Sequence, residues 1–152
     1  VSEPPSSSEA PSSWAPSPEL AARVLARLGE TGQPPERGVE LFNVGNERYL
    51  TVLDREYLVP IAEHRRGSSF KLVQAYYGGG KTHFLLCLRE RAWRRGLAAA
   101  VVGLSPDDCH FDDPGRVWSA VAREIALAPA GPEAPPDRGL ERVLGALLDA
   151  RR

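Results

Sequence analysis

The chain has 152 residues, with 20 acidic against 19 basic side chains, 14 Gly, 14 Pro, two Cys and no Met. That length fits about one domain, and the near-neutral balance excludes the basic footprint of an electrostatic DNA or RNA binder. No run approaches the roughly 18 apolar residues of a membrane-spanning helix, and the N-terminus has neither the basic nor the apolar region of a secretory signal.

Cys87 and Cys109 lie far apart in the chain without a CxxC pair, which suits a reducing cytoplasm better than a disulfide or zinc framework. The expectation is a soluble, cytoplasmic protein. The chain begins with Val1 and contains no Met, so it reads either as a GTG start or as a piece of something longer. Among the basic residues only Lys71 and Lys81 are lysines. In a composition this rich in Ala, Gly, Pro and Arg, each lysine stands out.

In chain order, residues 1–18 carry seven Ser and five Pro and read as a disordered tail, with Trp14 its one large apolar residue. A first helix is predicted from Ser17 as N-cap and Pro18 at the first helical position, through Leu20, Val24, Leu25 and Leu28, to a stop at Gly29. Loop follows to Gly38. A second helical pattern runs from Asn46 to His64, with Tyr49, Leu50, Leu53, Tyr57, Leu58 and Ile61 on one face and Pro60 as a break or kink.

The period then changes. Phe70–Ala75 is short, mostly apolar and bounded by glycines, which is a buried-strand signal. Lys81–Arg95 returns to helical spacing, with Phe84, Leu85, Leu88 and Trp93 facing inward and Gly96 as the stop. Leu97–Leu104 reads as a second buried strand. Asp113 and Pro114 open a helix to about Leu127 with Val117, Trp118, Val121 and Ile125 on one face; a Pro-rich linker leads to a last helix from Leu140 to Ala150.

This order places a strand–helix–strand crossover in the middle of the chain, the mark of an α/β fold with a parallel sheet. Two strands make an incomplete sheet, so further strands are expected from sequence beyond Arg152 or from another chain. The expected organisation is a tail (1–18), a helical segment (19–66), a partial P-loop NTPase core (67–128), a linker (129–137) and a C-terminal helix (138–152).

Between the first strand and its helix, positions 75–82 read A-Y-Y-G-G-G-K-T. The Walker A phosphate loop is G-x-x-x-x-G-K-[ST]. Gly80, Lys81 and Thr82 match it; Ala75 replaces its first glycine. A triphosphate must be met by converging backbone N–H groups, which requires a loop without side chains in the way, so Gly78, Gly79 and Gly80 are the candidate cradle. The helix opening at Lys81 adds free N–H groups and the positive end of its dipole. Lys81 supplies a compact charge to the phosphates and Thr82 a hydroxyl to Mg²⁺. The alternative is a glycine-rich turn with no ligand.

FKLVQAYYGGGKTHFLL at 70–86, followed by LSPDDCHFDDPGRVWSAVAREI at 104–125, resembles the ATP-binding BrxC/BrxD family of BREX phage-defence systems. The resemblance covers about Leu20 to Leu127. It implies a P-loop ATPase of the AAA-like, additional-strand class, with Gly78, Gly79, Gly80, Lys81 and Thr82 as ligands of ATP and Mg²⁺. The later motifs of such enzymes, a Walker B carboxylate among them, have no counterpart here. Asp107 and Asp108 follow Leu104 too early for that role.

Other residues have two readings each. Asp107, Asp108, Cys109, His110, Asp112 and Asp113 form either a metal site or a loop whose Asp113 caps the next helix. His83 either faces inward as a structural histidine or faces the loop. Tyr76 and Tyr77 either stack on a base or serve in packing and exposure. Arg89, Arg91, Arg94 and Arg95 suggest phosphate or nucleic-acid contact, but with Glu90 among them they read as a solvated helix face, and Arg65 and Arg66 likewise. Both cysteines read as small buried hydrophobes.

The function expected is Mg·ATP binding in the N-terminal part of a defence ATPase, hydrolysis requiring downstream sequence or a partner. Self-association or other defence-system subunits are the expected partners, and DNA is not indicated by charge. A non-catalytic interaction or regulatory module with a degenerate loop, and a small-molecule or nucleotide kinase, are the alternatives.

Overall fold

A computed structural model describes residues 18–32, 37–63, 68–105, 109–130 and 134–150. The Ser/Pro-rich tail through Ser17, Arg65 and Arg66, Asp107 and Asp108, and part of the linker lie outside these residues. Helix α1 spans Pro18–Thr31. Gly29 does not end it: the stop falls at Gly32, which adopts φ 63° and donates its N–H to the Leu28 carbonyl at 3.0 Å. A helix interior tolerates glycine at a cost of about 1 kcal/mol, whereas a left-handed terminator calls for one. After Gly38 comes a 3₁₀ turn, Val39–Phe42.

Helix α2 (Glu47–Leu53), a π-helical turn (Asp54–Leu58) and α3 (Val59–Ala62) form one continuous helical stretch. Pro60 therefore does not break it. In a regular α-helix the proline ring would meet the carbonyl of Glu56. The wider turn, in which the Val59 N–H donates to the Asp54 carbonyl, takes up that misfit just before the proline.

Helix α4 (Lys81–Arg94) lies against these elements. Its end is a Schellman motif: Gly96 (φ 72°) donates to the Trp93 carbonyl and Leu97 to that of Ala92. Val39, Leu50 and Cys87 are fully buried where the 3₁₀ turn, α2 and α4 meet, with Phe84 and Leu86 beside them and Phe42, Leu53, Leu88 and Val101 around them. Leu85, expected inward, is exposed, and Ala92 takes an inward position instead.

The arginines of α4 correct the expectation of a solvated face. Arg89 is buried with its guanidinium 4.5 Å from the Trp93 ring centre. Arg91 bridges Glu40 (2.9 Å) and Glu47, Arg94 also reaches Glu40, and Arg95 pairs with both oxygens of Asp54. Side-chain exposure of Arg91 and Glu40 is only 12% and 11%. Charges that look like a polar stripe in sequence are the clamp between α4 and the helices that precede it.

Helix α5 (Pro114–Glu124) begins as expected, Asp113 accepting the Arg116 N–H at 3.1 Å. It ends earlier, at Glu124, and Ile125 is extended. Trp118, expected inward, is exposed, while Ala120 is buried. Helix α6 (Leu140–Asp149) packs on α5.

The α/β expectation is not met. Helices account for 58% of the described residues, and among these there is no strand and no sheet, only isolated bridges, such as Ala99 with Ala126. The incomplete P-loop NTPase fold of the AAA-like class is therefore withdrawn. Residues 68–76 have no regular secondary structure, and Phe70 and Leu72 are each 80% exposed. Residues 97–104 are tied through Ala99 to the chain after α5 rather than to 68–76. An apolar run reports a tendency to be buried; a strand also needs a neighbour to satisfy its backbone, and these two segments do not pair.

Candidate phosphate-binding site

The glycine loop enters α4 through three glycines, each with a conformational reason. Gly78 and Gly80 both adopt φ 76°, the left-handed region that side chains resist. At Gly79 the obstacle is space: a Cβ would sit 3.0 Å from the Tyr76 carbonyl oxygen and 3.2 Å from the Ala75 Cβ. The Gly79 N–H donates to the Tyr76 carbonyl at 3.0 Å, closing a tight turn. Gly80 is also the N-cap of α4 and offers no side chain to cap it. The first bond of the helix runs from the Phe84 N–H to the Gly80 carbonyl, so the first-turn amides of Lys81, Thr82 and His83 have no side-chain cap.

Lys81 folds back into this loop. Its Nζ donates to the carbonyls of Ala75 (3.0 Å) and Tyr76 (2.8 Å). The ammonium thus lies over the loop, held by weak neutral acceptors that an anion with full charge can replace. Thr82 is exposed beside it on the first turn. Its exposed hydroxyl is an oxygen of the kind that Mg²⁺ takes as a ligand. Among the described residues no group of three His, Cys, Asp or Glu side chains is placed to hold a metal unaided.

The other sequence candidates separate from the loop. His83 turns toward the core: its Nε2 lies 3.5 Å from Cys87 Sγ and its ring 4.9 Å from that of Phe42. Burial pulls its pKa below 6.5. Burial pushes the Cys87 thiol up to about 12, so it behaves as a small apolar group. Tyr76 and Tyr77 are fully exposed and touch nothing that would hold them as stacking platforms. Cys109 is buried, Asp113 serves α5 as its cap, and His110 and Asp112 stand 3.8 Å apart on the surface. Asp107 and Asp108 of that group lie outside the described residues.

Electrostatics around α4 follow from the clamp. The hydrogen bond from Arg91 holds Glu47 below the usual carboxylate range, and that from Arg95 does the same for Asp54. Burial raises the Glu90 carboxyl, although the Gly38 N–H donates to it at 2.6 Å. These carboxylates serve the fold, not the loop.

Beside the loop a cavity of about 800 Å³ opens between α2 and residues 71–75, and Gly79, Gly80 and Lys81 form part of its wall. Tyr49, Val52, Leu72 and Phe84 line it as well, with Arg48 and Lys71 among its polar groups. Sequence reading missed this wall. Lys71, the second of the two lysines, was the one signal that pointed to it.

A glycine loop closing on a helix-borne lysine, next to a cavity with cationic walls, defines a candidate binder of phosphorylated ligands. The chain belongs to the family described as BREX system ATP-binding protein BrxC/D, which matches residues 17–148. No curated protein and no solved structure matches it. The resemblance drawn from GGGKTHFL and LSPDDC is thereby borne out, and the family name links the chain to ATP and to BREX phage defence. No helix among the described residues is long and apolar enough to cross a membrane.

Proposed function

We propose that this chain binds Mg·ATP through a Walker A-type loop, as a nucleotide-binding component of a BREX phage-defence system. Gly78 and Gly80 present backbone N–H groups to the phosphates, the Gly79 N–H turns to them from the Tyr76 carbonyl, Lys81 moves from the Ala75 and Tyr76 carbonyls to the β and γ phosphates, and Thr82 contributes its hydroxyl to Mg²⁺. The single observation that carries this reading is the geometry of Lys81. Its ammonium sits over a turn built from two left-handed glycines and a third that admits no side chain. A loop serving only as a connection has no need of all three.

Ala75 in place of the first Walker A glycine is accommodated, since its contribution to the loop is a carbonyl that holds Lys81. The reading assigns this chain binding and not hydrolysis. No carboxylate among the described residues lies on the cavity wall beside Lys81 to activate water. Self-association or another subunit of the defence system is the proposed source of any catalytic group, and a cytoplasmic location is proposed with it.

Equilibrium binding of ATP with and without Mg²⁺ tests the reading. The wild-type chain should bind, Lys81→Ala should lose most of the affinity, and Thr82→Ala should lose chiefly the part that depends on Mg²⁺. Equal binding by the wild type and Lys81→Ala would refute it.

A further inference from the structure

The cavity beside the loop has an unusual division of chemistry. Its lining includes both lysines of the chain, Lys71 and Lys81, and also Arg48. No carboxylate lies among the described residues that line it. The remainder of the wall is largely apolar. Tyr49, Val52 and Leu72 are 65%, 43% and 80% exposed, and all three are among the residues that line this one concavity.

Large apolar side chains left open to water disfavour an empty site, and three cations without a counter-carboxylate disfavour a neutral or cationic occupant. Anionic charge at one end and a flat apolar body at the other are what the wall would match. The volume of about 800 Å³ is within the range of pockets that enclose small-molecule ligands.

Gly79, Gly80 and Lys81 bring the start of α4 to the wall, and Tyr49 and Val52 bring apolar surface to it from a different element, α2. Asn46, the N-cap of α2, is also on the wall. Its side chain makes no capping hydrogen bond, so the amide keeps a donor and an acceptor for a polar ring edge. Lys71 is held with its Nζ 4.5 Å from the Tyr57 ring centre, which fixes a second cation.

We infer that this cavity is the nucleoside subsite: the base of a nucleoside triphosphate lies against Tyr49, Val52 and Leu72 while its phosphates occupy the glycine loop. The inference rests on the proposed phosphate loop and adds to it the part of the ligand that a loop alone cannot recognise. It makes Tyr49 and Leu72 specificity-determining residues, because they contact the base and not the phosphates.

The test compares Mg·ATP with Mg·tripolyphosphate, which has the phosphates and no nucleoside, by calorimetric titration of the full chain. Wild type should bind Mg·ATP at least tenfold more tightly than Mg·tripolyphosphate. Tyr49→Ala and Leu72→Ser, both at exposed positions where folding is least at risk, should each weaken ATP about tenfold, the size of a lost base contact, and leave tripolyphosphate within twofold. Tyr49→Phe keeps the ring and should retain ATP affinity.

Equal affinity of wild type for the two ligands, or ATP affinity untouched in both variants, overturns the subsite and leaves the loop standing. Failure of wild type to bind either ligand overturns the loop and the subsite together. A parallel loss of both ligands in Tyr49→Ala, with Leu72→Ser unchanged for both, also overturns the subsite and makes Tyr49 a structural residue.

Discussion

Replacing Glu40 by Ala tests the account of the arginines in α4. Glu40 receives Arg91 and Arg94 together, and it is as buried as Arg91. The variant leaves Arg91 in a site 12% exposed, with only Glu47 as its remaining carboxylate, and Glu47 is itself 69% exposed. Losing a charged hydrogen bond to a largely buried group costs about 1.5–3 kcal/mol. The second partner, Arg94, is nearly half exposed, and its pair adds about 0.2–1 kcal/mol. The expected loss is therefore about 2–4 kcal/mol, a large share of the roughly 5–15 kcal/mol typical of a domain.

Urea unfolding at pH 7 reads this directly, with Glu56→Ala as the comparison. The Glu56 partner, Arg55, is 72% exposed, so that variant should lose less than about 1 kcal/mol. A double-mutant cycle between Glu40 and Arg91 should show coupling above about 1 kcal/mol. Equal and small losses in Glu40→Ala and Glu56→Ala would refute the clamp and return these arginines to the solvent.

Further outcomes follow from the same geometry. Gly79→Ala places a Cβ 3.0 Å from a backbone oxygen, and Gly80→Ala forces φ 76° on a side chain at about 1–2 kcal/mol, so both should weaken ATP binding more than they lower the melting temperature. The folded-state pKa of His83 is lowered by burial, so the unfolded chain binds more protons below pH 6.5 and stability should fall as pH drops through and below that value; His83→Gln should flatten the slope in urea titrations. Glu90 acts in the opposite sense, its raised pKa adding stability on acidification toward pH 5, and Glu90→Gln isolates it. Asp54 and Glu47, whose pKa values are depressed, contribute stability that is present above their unfolded values and lost as pH falls below about 4. Cys87 and Cys109 are buried, and Cys87 is a very weak acid, so a thiol reagent at pH 7.5 should label neither at an appreciable rate until the chain is unfolded.

Local signals carried well from sequence to structure, and long-range ones did not. Asp113 with Pro114, Gly96 after α4, and Gly78 to Lys81 were readable because a cap or a left-handed turn is decided within a few residues. Phe70–Ala75 and Leu97–Leu104 misled because strand identity depends on a pairing partner that no local pattern specifies. The arginine stripe misled for a related reason: Glu40, Glu47 and Asp54, which neutralise it, precede it by about forty to fifty residues. Pro60 was expected to break or kink a helix; the helix runs on without a break, through a single π-helical turn that composition does not announce. The turn geometry of the loop was legible from its glycines; the cavity beside it was not, since its wall joins α2 to the segment around Lys71 and Leu72.

The most direct measurement is thermal stability with and without Mg·ATP, in wild type and in Lys81→Ala. At about 100 times its dissociation constant a ligand of the folded state adds about 2.7 kcal/mol, which for a chain of this size raises the melting temperature by roughly 5–10 °C. The account predicts that shift in wild type and its loss in Lys81→Ala. A folded wild-type chain whose melting temperature is unmoved by Mg·ATP, or an equal shift in both proteins, would contradict it.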